Sequence, residues 1–261
     1  MRVSSLTLAV ALFFVTPSHA ADVKTLLAAP RQRIETADYR ASGHLIRVDA
    51  NGNRLSFPIT IKAHWFTGVL RVYIEFGTGS KTSADSLVSS RAPIHILLEM
   101  RPNGRSMVQI AHPGSATAFT LPFERWSEGL LGAGFGYEDF LEAQYFWAGQ
   151  TALDKAKVGT RDCDVVKSKP GVADNTHYTD VTTWLDHDTG FPVYVEKTLK
   201  GGMVKEFTYF GLRQNGGVWS AHQVGAKIRG QAGSSLLIID RGTPKAKLTL
   251  KDFSPAQLTH F

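Results

Sequence analysis

Val69-Leu-Arg-Val-Tyr-Ile-Glu-Phe76 sets the reading of the whole chain. Leu70, Val72, Ile74 and Phe76 alternate with Val69, Arg71, Tyr73 and Glu75. A period of two places these sets on opposite faces of a half-buried strand. Ile94-His-Ile-Leu-Leu-Glu-Met100 repeats the pattern, with Ile94, Ile96, Leu98 and Met100 set against His95, Leu97 and Glu99. In both segments the second set is the more polar, so the first is expected to turn away from water.

The same rhythm extends outward from this pair. Turn signals stand at Asn51-Gly52, Asn103-Gly104, Gly201-Gly202 and Asn215-Gly216. Further strands are expected near 178–186, 192–199, 203–212, 218–229, 234–240 and 246–251, joined mostly by short hairpins into an antiparallel, meandering sheet. Two segments read differently. Residues 22–38 look helical, with Pro30 a candidate break. Gly132-Ala-Gly-Phe-Gly136 is followed by an amphipathic run over 137–148, in which Tyr137, Leu141, Tyr145 and Ala148 share one helical face and Phe140 and Trp147 flank it. Glu138 and Asp139 suit the first turn of such a helix, and the glycines before it suggest a flexible entry. The fold class expected is α+β: a curled antiparallel sheet with helices over its concave face.

The first twenty residues are of another kind. Arg2 precedes the apolar run Leu6–Val15, Thr16-Pro17 breaks it, and Ser18-His19-Ala20 has the small-x-small form of a cleavage site. The run is shorter than the roughly 20 apolar residues that span a bilayer. We expect a signal peptide over 1–20, a mature chain from Ala21 in the periplasm, and a single domain over 21–261. Of the 261 residues, 43% are hydrophobic and 20% charged, a globular composition. A single cysteine excludes a disulfide framework and Cys-based zinc modules. Cys163 lies between Asp162 and Asp164, whose charge opposes the thiolate, so it reads as a dispensable thiol on a loop or strand, not a nucleophile. The net charge of +6 is dispersed, with no basic stripe of the kind nucleic acid requires.

Catalytic and cofactor patterns are missing. Gly77-Thr-Gly-Ser-Lys81-Thr82 lacks the glycine before lysine of a phosphate loop and reads as a hairpin loop. Gly132, Gly134 and Gly136 lack the third glycine spacing and the βαβ unit of a dinucleotide site. There is no G-x-S-x-G, and no two histidines lie three to five residues apart. Asp186-His187-Asp188 reads as a turn after a strand. No catalytic residue, metal or cofactor is expected. The pattern alone fits a filled core better than a cavity, but such faces also suit a cavity for an acyl chain or hydrophobic peptide. We expect the cavity, lined by Leu70, Val72, Ile74, Phe76, Ile94, Ile96, Leu98 and Met100, with Tyr137, Phe140, Leu141, Tyr145 and Trp147 on a helical lid. The alternative is an exported hydrolase or metal-dependent enzyme whose site assembles from distant strands.

Gly134-Phe-Gly-Tyr-Glu-Asp-Phe140 resembles the "fsyeDl" segment of the outer-membrane lipoprotein-sorting protein family, the LolA-like periplasmic proteins. Ala41-Ser-Gly43 and Asp49-Ala-Asn-Gly52 stand where that family has its first strand pair. Thr182-Thr-Trp-Leu-Asp186 with Gly190-Phe-Pro192 is similar to its "lWiD…p" strand and turn, and Leu199–Lys205 to a "d-x-x-G-x-x-x-K" hairpin. Lys251-Asp-Phe-Ser-Pro-Ala-Gln-Leu258 resembles its terminal "d-x-F-t-x-x-x-L". The resemblance implies an incomplete barrel with helices across its mouth. It also implies carriage of lipid, or of lipoprotein acyl chains, from an inner-membrane exporter to an outer-membrane acceptor.

Overall fold

The computed structural model describes residues 22–81, 93–102 and 104–261; the expected signal peptide and most of the polar stretch after Lys81 lie outside them. Helix α1 (Val23–Glu35) is capped by Asp22, whose side chain accepts from the Lys24 N–H, and buries Leu27, Pro30 and Ile34. The helix runs through Pro30 without breaking.

Among the described residues fourteen strands follow: β1 (Asp38–Val48), β2 (Arg54–Phe66), β3 (Val69–Phe76), β4 (Ser80–Lys81), β5 (Ile94–Met100), β6 (Met107–Ala111), β7 (Phe119–Thr120), β8 (Gly149–Val158), β9 (Arg161–Lys169), β10 (Tyr178–Asp186), β11 (Pro192–Leu199), β12 (Val204–Asn215), β13 (Val218–Ile228) and β14 (Ser234–Pro244). They form one antiparallel sheet in the order β7-β6-β5-β3-β2-β1-β14-β13-β12-β11-β10-β9-β8, with β4 on β2. The chain therefore meanders from β1 out to one edge at β7. It re-enters at the other edge, β8, and meanders back until β14 closes on β1. The connection between the edges, residues 121–148, has to cross the sheet, and it crosses the concave face. The architecture is thus an open half-barrel whose concave side is covered by α1 and this crossing segment. A bulge between Ser42 and Gly43 bends β1, and a Cβ on Gly43 would fall 1.9 Å from the Ile238 carbonyl oxygen, so only glycine fits this crossing.

The larger apolar cluster lies between sheet and cover. It joins Leu45, Phe57, Ile61, Leu70, Val72, Ile74, Phe76, Ile96, Leu98 and Phe207 of the strands to Leu27 and Ile34 of α1 and to Phe135, Leu141 and Tyr145 of the crossing segment.

Several expectations are corrected. The face of β3 and β5 opposite this cluster is not turned to water. Tyr73, Leu97, Ala111, Leu248, Phe253 and Leu258 form a second cluster there, because the C-terminal segment folds back with α2 (Pro255–Thr259) over β5 and β6. His95 is buried with its Nδ1 3.0 Å from the Leu258 carbonyl oxygen. Residues 246–251 are not a strand. The Asp38 carboxylate accepts from the backbone N–H groups of Lys247 and Leu248, each at 2.9 Å, and turns the chain into a 3-10 helix, Leu250–Phe253. The run 137–148 is not one helix. It forms two 3-10 turns, Tyr137–Phe140 and Ala143–Phe146, separated by Glu142 in the left-handed region at φ 48°. Cys163 lies on a strand, not a loop, and is fully buried there: it is 0% exposed on β9. Burial first, then the Asp186 and Asp162 carboxylates, pushes its pKa up. Asp164 faces His187 and Lys155 instead.

Candidate functional site

The crossing segment meets the sheet at a few polar points set in apolar surroundings. Register explains the main one. Along β11, the buried positions Val193, Val195, Lys197 and Leu199 alternate with half-buried ones. On β12, Lys205 is buried in step with Phe207. Lys197 and Lys205 are directly paired across the strands and face the inside of the half-barrel. Their side chains are each only 4% exposed.

Asp139 of the crossing segment meets them both. Its Oδ1 lies 3.0 Å from Lys197 Nζ and its Oδ2 3.2 Å from Lys205 Nζ. Oδ1 also accepts from the Tyr178 hydroxyl at 2.6 Å, and Oδ2 from the Gly136 N–H at 2.7 Å. Burial alone would raise this carboxyl. The two ammonium groups, with the hydroxyl and amide donors, outweigh that and hold it well below the usual carboxylate range. Burial and the adjacent Asp139 carboxylate push the Tyr178 hydroxyl well above its ordinary value, so it stays a donor. Lys197 Nζ also lies over the Phe207 ring, 4.9 Å from its centroid.

Neighbouring anchors extend the attachment. Glu138 accepts from Thr176 Oγ1 at 2.8 Å and from the His177 N–H at 3.2 Å. The Gly134 N–H donates to Ser235 Oγ at 2.8 Å. Glu142 takes a two-pronged bond from Arg33 of α1 at 2.9 and 2.8 Å, and Arg31 Nε donates to the Tyr145 carbonyl at 2.7 Å. Gly136 is set by space, not flexibility: a Cβ there would sit 2.9 Å from the Trp126 carbonyl oxygen and 3.1 Å from Lys205 Nζ.

The sequence-expected residues come together under this cover. Leu70, Val72, Ile74, Phe76, Ile94, Ile96, Leu98 and Met100 are all buried in the larger cluster. Tyr137, Leu141, Tyr145 and Trp147 are buried against it and Phe140 is half-buried. Met100, Leu141 and Trp147 reach a cavity of about 30 Å³, which Glu138, Gln144, Tyr178 and Lys197 also line. A larger opening of about 340 Å³ lies at the end of the half-barrel, between Gly132–Gly134 and the β13–β14 hairpin, with Arg47 and Lys227 at its rim. Among the described residues no group of three or more His, Cys, Asp and Glu is placed to hold a metal ion. Sequence reasoning missed the two lysines and took Asp139 for a first-turn acid of a helix. The signal was present in Lys197, a charge at the apolar position of an alternating strand.

Solved structures share this fold. A domain from Vibrio parahaemolyticus assigned to outer membrane lipoprotein sorting is 19% identical, with a TM-score of 0.75 over 91% of this chain and 99% of that one. A DUF1329 family protein from Desulfovibrio piger is 14% identical, with a TM-score of 0.74 over 91% and 99% of the two chains. A LolA superfamily protein from Nitrosomonas europaea is 13% identical, with a TM-score of 0.63 over 90% and 99%. The fold is LolA-like. The model of a family described as "-like: Uncharacterized protein" matches residues 121–260, more than half of the chain, and the chain belongs to that family. No curated protein matches it in sequence.

Proposed function

We propose that this protein is a non-catalytic carrier that holds lipid, or the acyl chains of a lipoprotein, between the concave sheet face and the crossing segment acting as a lid. The observation that carries this reading is a broad apolar face covered by a segment that runs from edge to edge and is tied down at a few polar points. Short 3-10 turns hold few internal hydrogen bonds, so little regular structure is lost when such a cover lifts. An acyl chain then takes the place of Tyr137, Phe140, Leu141, Tyr145 and Trp147 against the eight strand residues. Its burial is worth roughly 25 cal/mol per Å².

The lipoprotein-sorting assignment of the similar Vibrio domain supports this class of cargo. The leader at 1–20 supports the periplasm as the compartment, and among the described residues no helix is long and apolar enough to cross a membrane. In that compartment the carrier receives cargo from an inner-membrane exporter and yields it to an outer-membrane acceptor. N-terminal sequencing of exported protein is expected to begin at Ala21. The functional test is organic extraction and mass spectrometry of protein purified from its native periplasm. Near-stoichiometric lipid is expected. Tightly bound metal without lipid would point to the exported enzyme, and neither would point to a closed-core binding module; both results contradict the carrier.

A further inference from the structure

Charge at the sheet–lid contact is divided unevenly. The sheet supplies two inward-facing ammonium groups, Lys197 and Lys205, fixed side by side by the β11–β12 register. The carboxylate that meets both comes from the lid, in Asp139. The nearby Glu138 also belongs to the lid, and it is engaged by Thr176 and His177. Lifting the lid therefore removes the counter-charge and leaves two like charges side by side in an apolar hollow. Buried unpaired charge is strongly unfavourable. An occupant made only of hydrocarbon offers these lysines nothing, whereas one that brings its own acid replaces what the lid takes away.

Space adjoins the pair on the Lys197 side. The cavity of about 30 Å³ reaches Lys197 and Tyr178, and Gln144 beside it has an Nε2 with no hydrogen-bond partner among the described residues. Met100, Leu141 and Trp147 on its wall lead from this polar end into the apolar cluster.

We propose that Lys197 and Lys205 form the head-group site of the cargo, taking the acidic group of an acyl-chain amphiphile, a carboxylate or a phosphate, in the place Asp139 occupies when the lid is closed. The inference rests on the carrier reading and narrows it to acidic amphiphiles. Loading is then an exchange of one acid for another at the same two lysines, and Tyr178 donates to either.

The test compares three probes of equal chain length, dodecanoate, dodecyl phosphate and methyl dodecanoate, by calorimetric titration of the mature protein. At least one acid is expected to bind about tenfold or more tighter than the ester, the scale of a hydrogen bond to a charged group. The tighter acid identifies the carboxylate or the phosphate as the source. Lys197→Met and Lys205→Met each leave Asp139 one lysine, which favours folding, and each is expected to bring acid binding down toward that of the ester while ester binding persists. Asp139→Asn removes the competing carboxylate and is expected to tighten acid binding. Should a lysine variant fail to fold, the three probes on the unaltered protein and on Asp139→Asn decide. Equal binding of acids and ester, or a preference that survives both lysine substitutions, overturns the head-group site and leaves the carrier standing. Binding of none of the three overturns both.

Discussion

Asp139 is the residue on which the closed arrangement turns. Removing one partner of a buried, hydrogen-bonded ion pair costs about 3–5 kcal/mol, because the other charge is left behind, and Asp139→Asn is expected to lose stability on that scale in urea denaturation. Its carboxyl is held below the ordinary value in the folded state. Its contribution is therefore complete above about pH 4 and is lost as pH falls from there toward the folded-state value. Stability of the parent should fall more steeply below pH 4 than that of Asp139→Asn. The other carboxylates are common to both proteins, so parallel slopes would contradict the ion-paired assignment. Cys163 carries the opposite lesson. The sequence suggested a dispensable thiol, but strand pairing buries it on β9. Cys163→Ser puts a hydroxyl in that site and is expected to cost about 1–3 kcal/mol rather than nothing. Gly136→Ala should cost a similar amount, about 1–3 kcal/mol, since the new methyl meets the Trp126 carbonyl and Lys205.

Among the elements, the crossing segment was the least legible in the sequence. Of the four residues the spacing sets on one face, Tyr137, Leu141 and Tyr145 are buried and Ala148 is exposed. The spacing did not locate the backbone. Asp139 reaching Lys197 and Lys205 inward, and Glu142 reaching Arg33 in α1, are tertiary contacts that outweigh helical propensity, and periodicity alone cannot show them. The strand 246–251 failed for the same reason, because Asp38 lies more than 200 residues away in sequence and redirects that chain. The lid role of the crossing segment has a direct check. A Cβ built on Gly134 lies 3.5 Å from Ala226 Cβ on β13, at the short end of disulfide spacing. The double variant Gly134→Cys/Ala226→Cys is expected to keep its fold when oxidised, to lose uptake of a fluorescent fatty acid, and to regain uptake on reduction. Equal uptake in both redox states would remove the lid role.

At the scale of the whole molecule, the alternation in β3 and β5 and the glycine-marked hairpins were enough to read an antiparallel sheet, because period and turn chemistry are local. That the meander leaves by one edge and returns by the other is not local, and neither is the second apolar cluster on the outer face. The strand residues pack against the crossing segment, so Ile96→Ala is expected to cost about 2–5 kcal/mol in thermal or chemical unfolding. The central claim is that an acyl chain occupies this same face. It is tested most directly by titrating dodecanoate into protein labelled at Ile, Leu and Val methyls and following the methyl resonances. The account predicts saturable shifts at Val72, Ile74, Ile96 and Leu98 beneath the lid, with Leu97, Leu248 and Leu258 on the opposite side of the sheet unmoved. Shifts confined to that opposite side, or none at saturating dodecanoate, would contradict it.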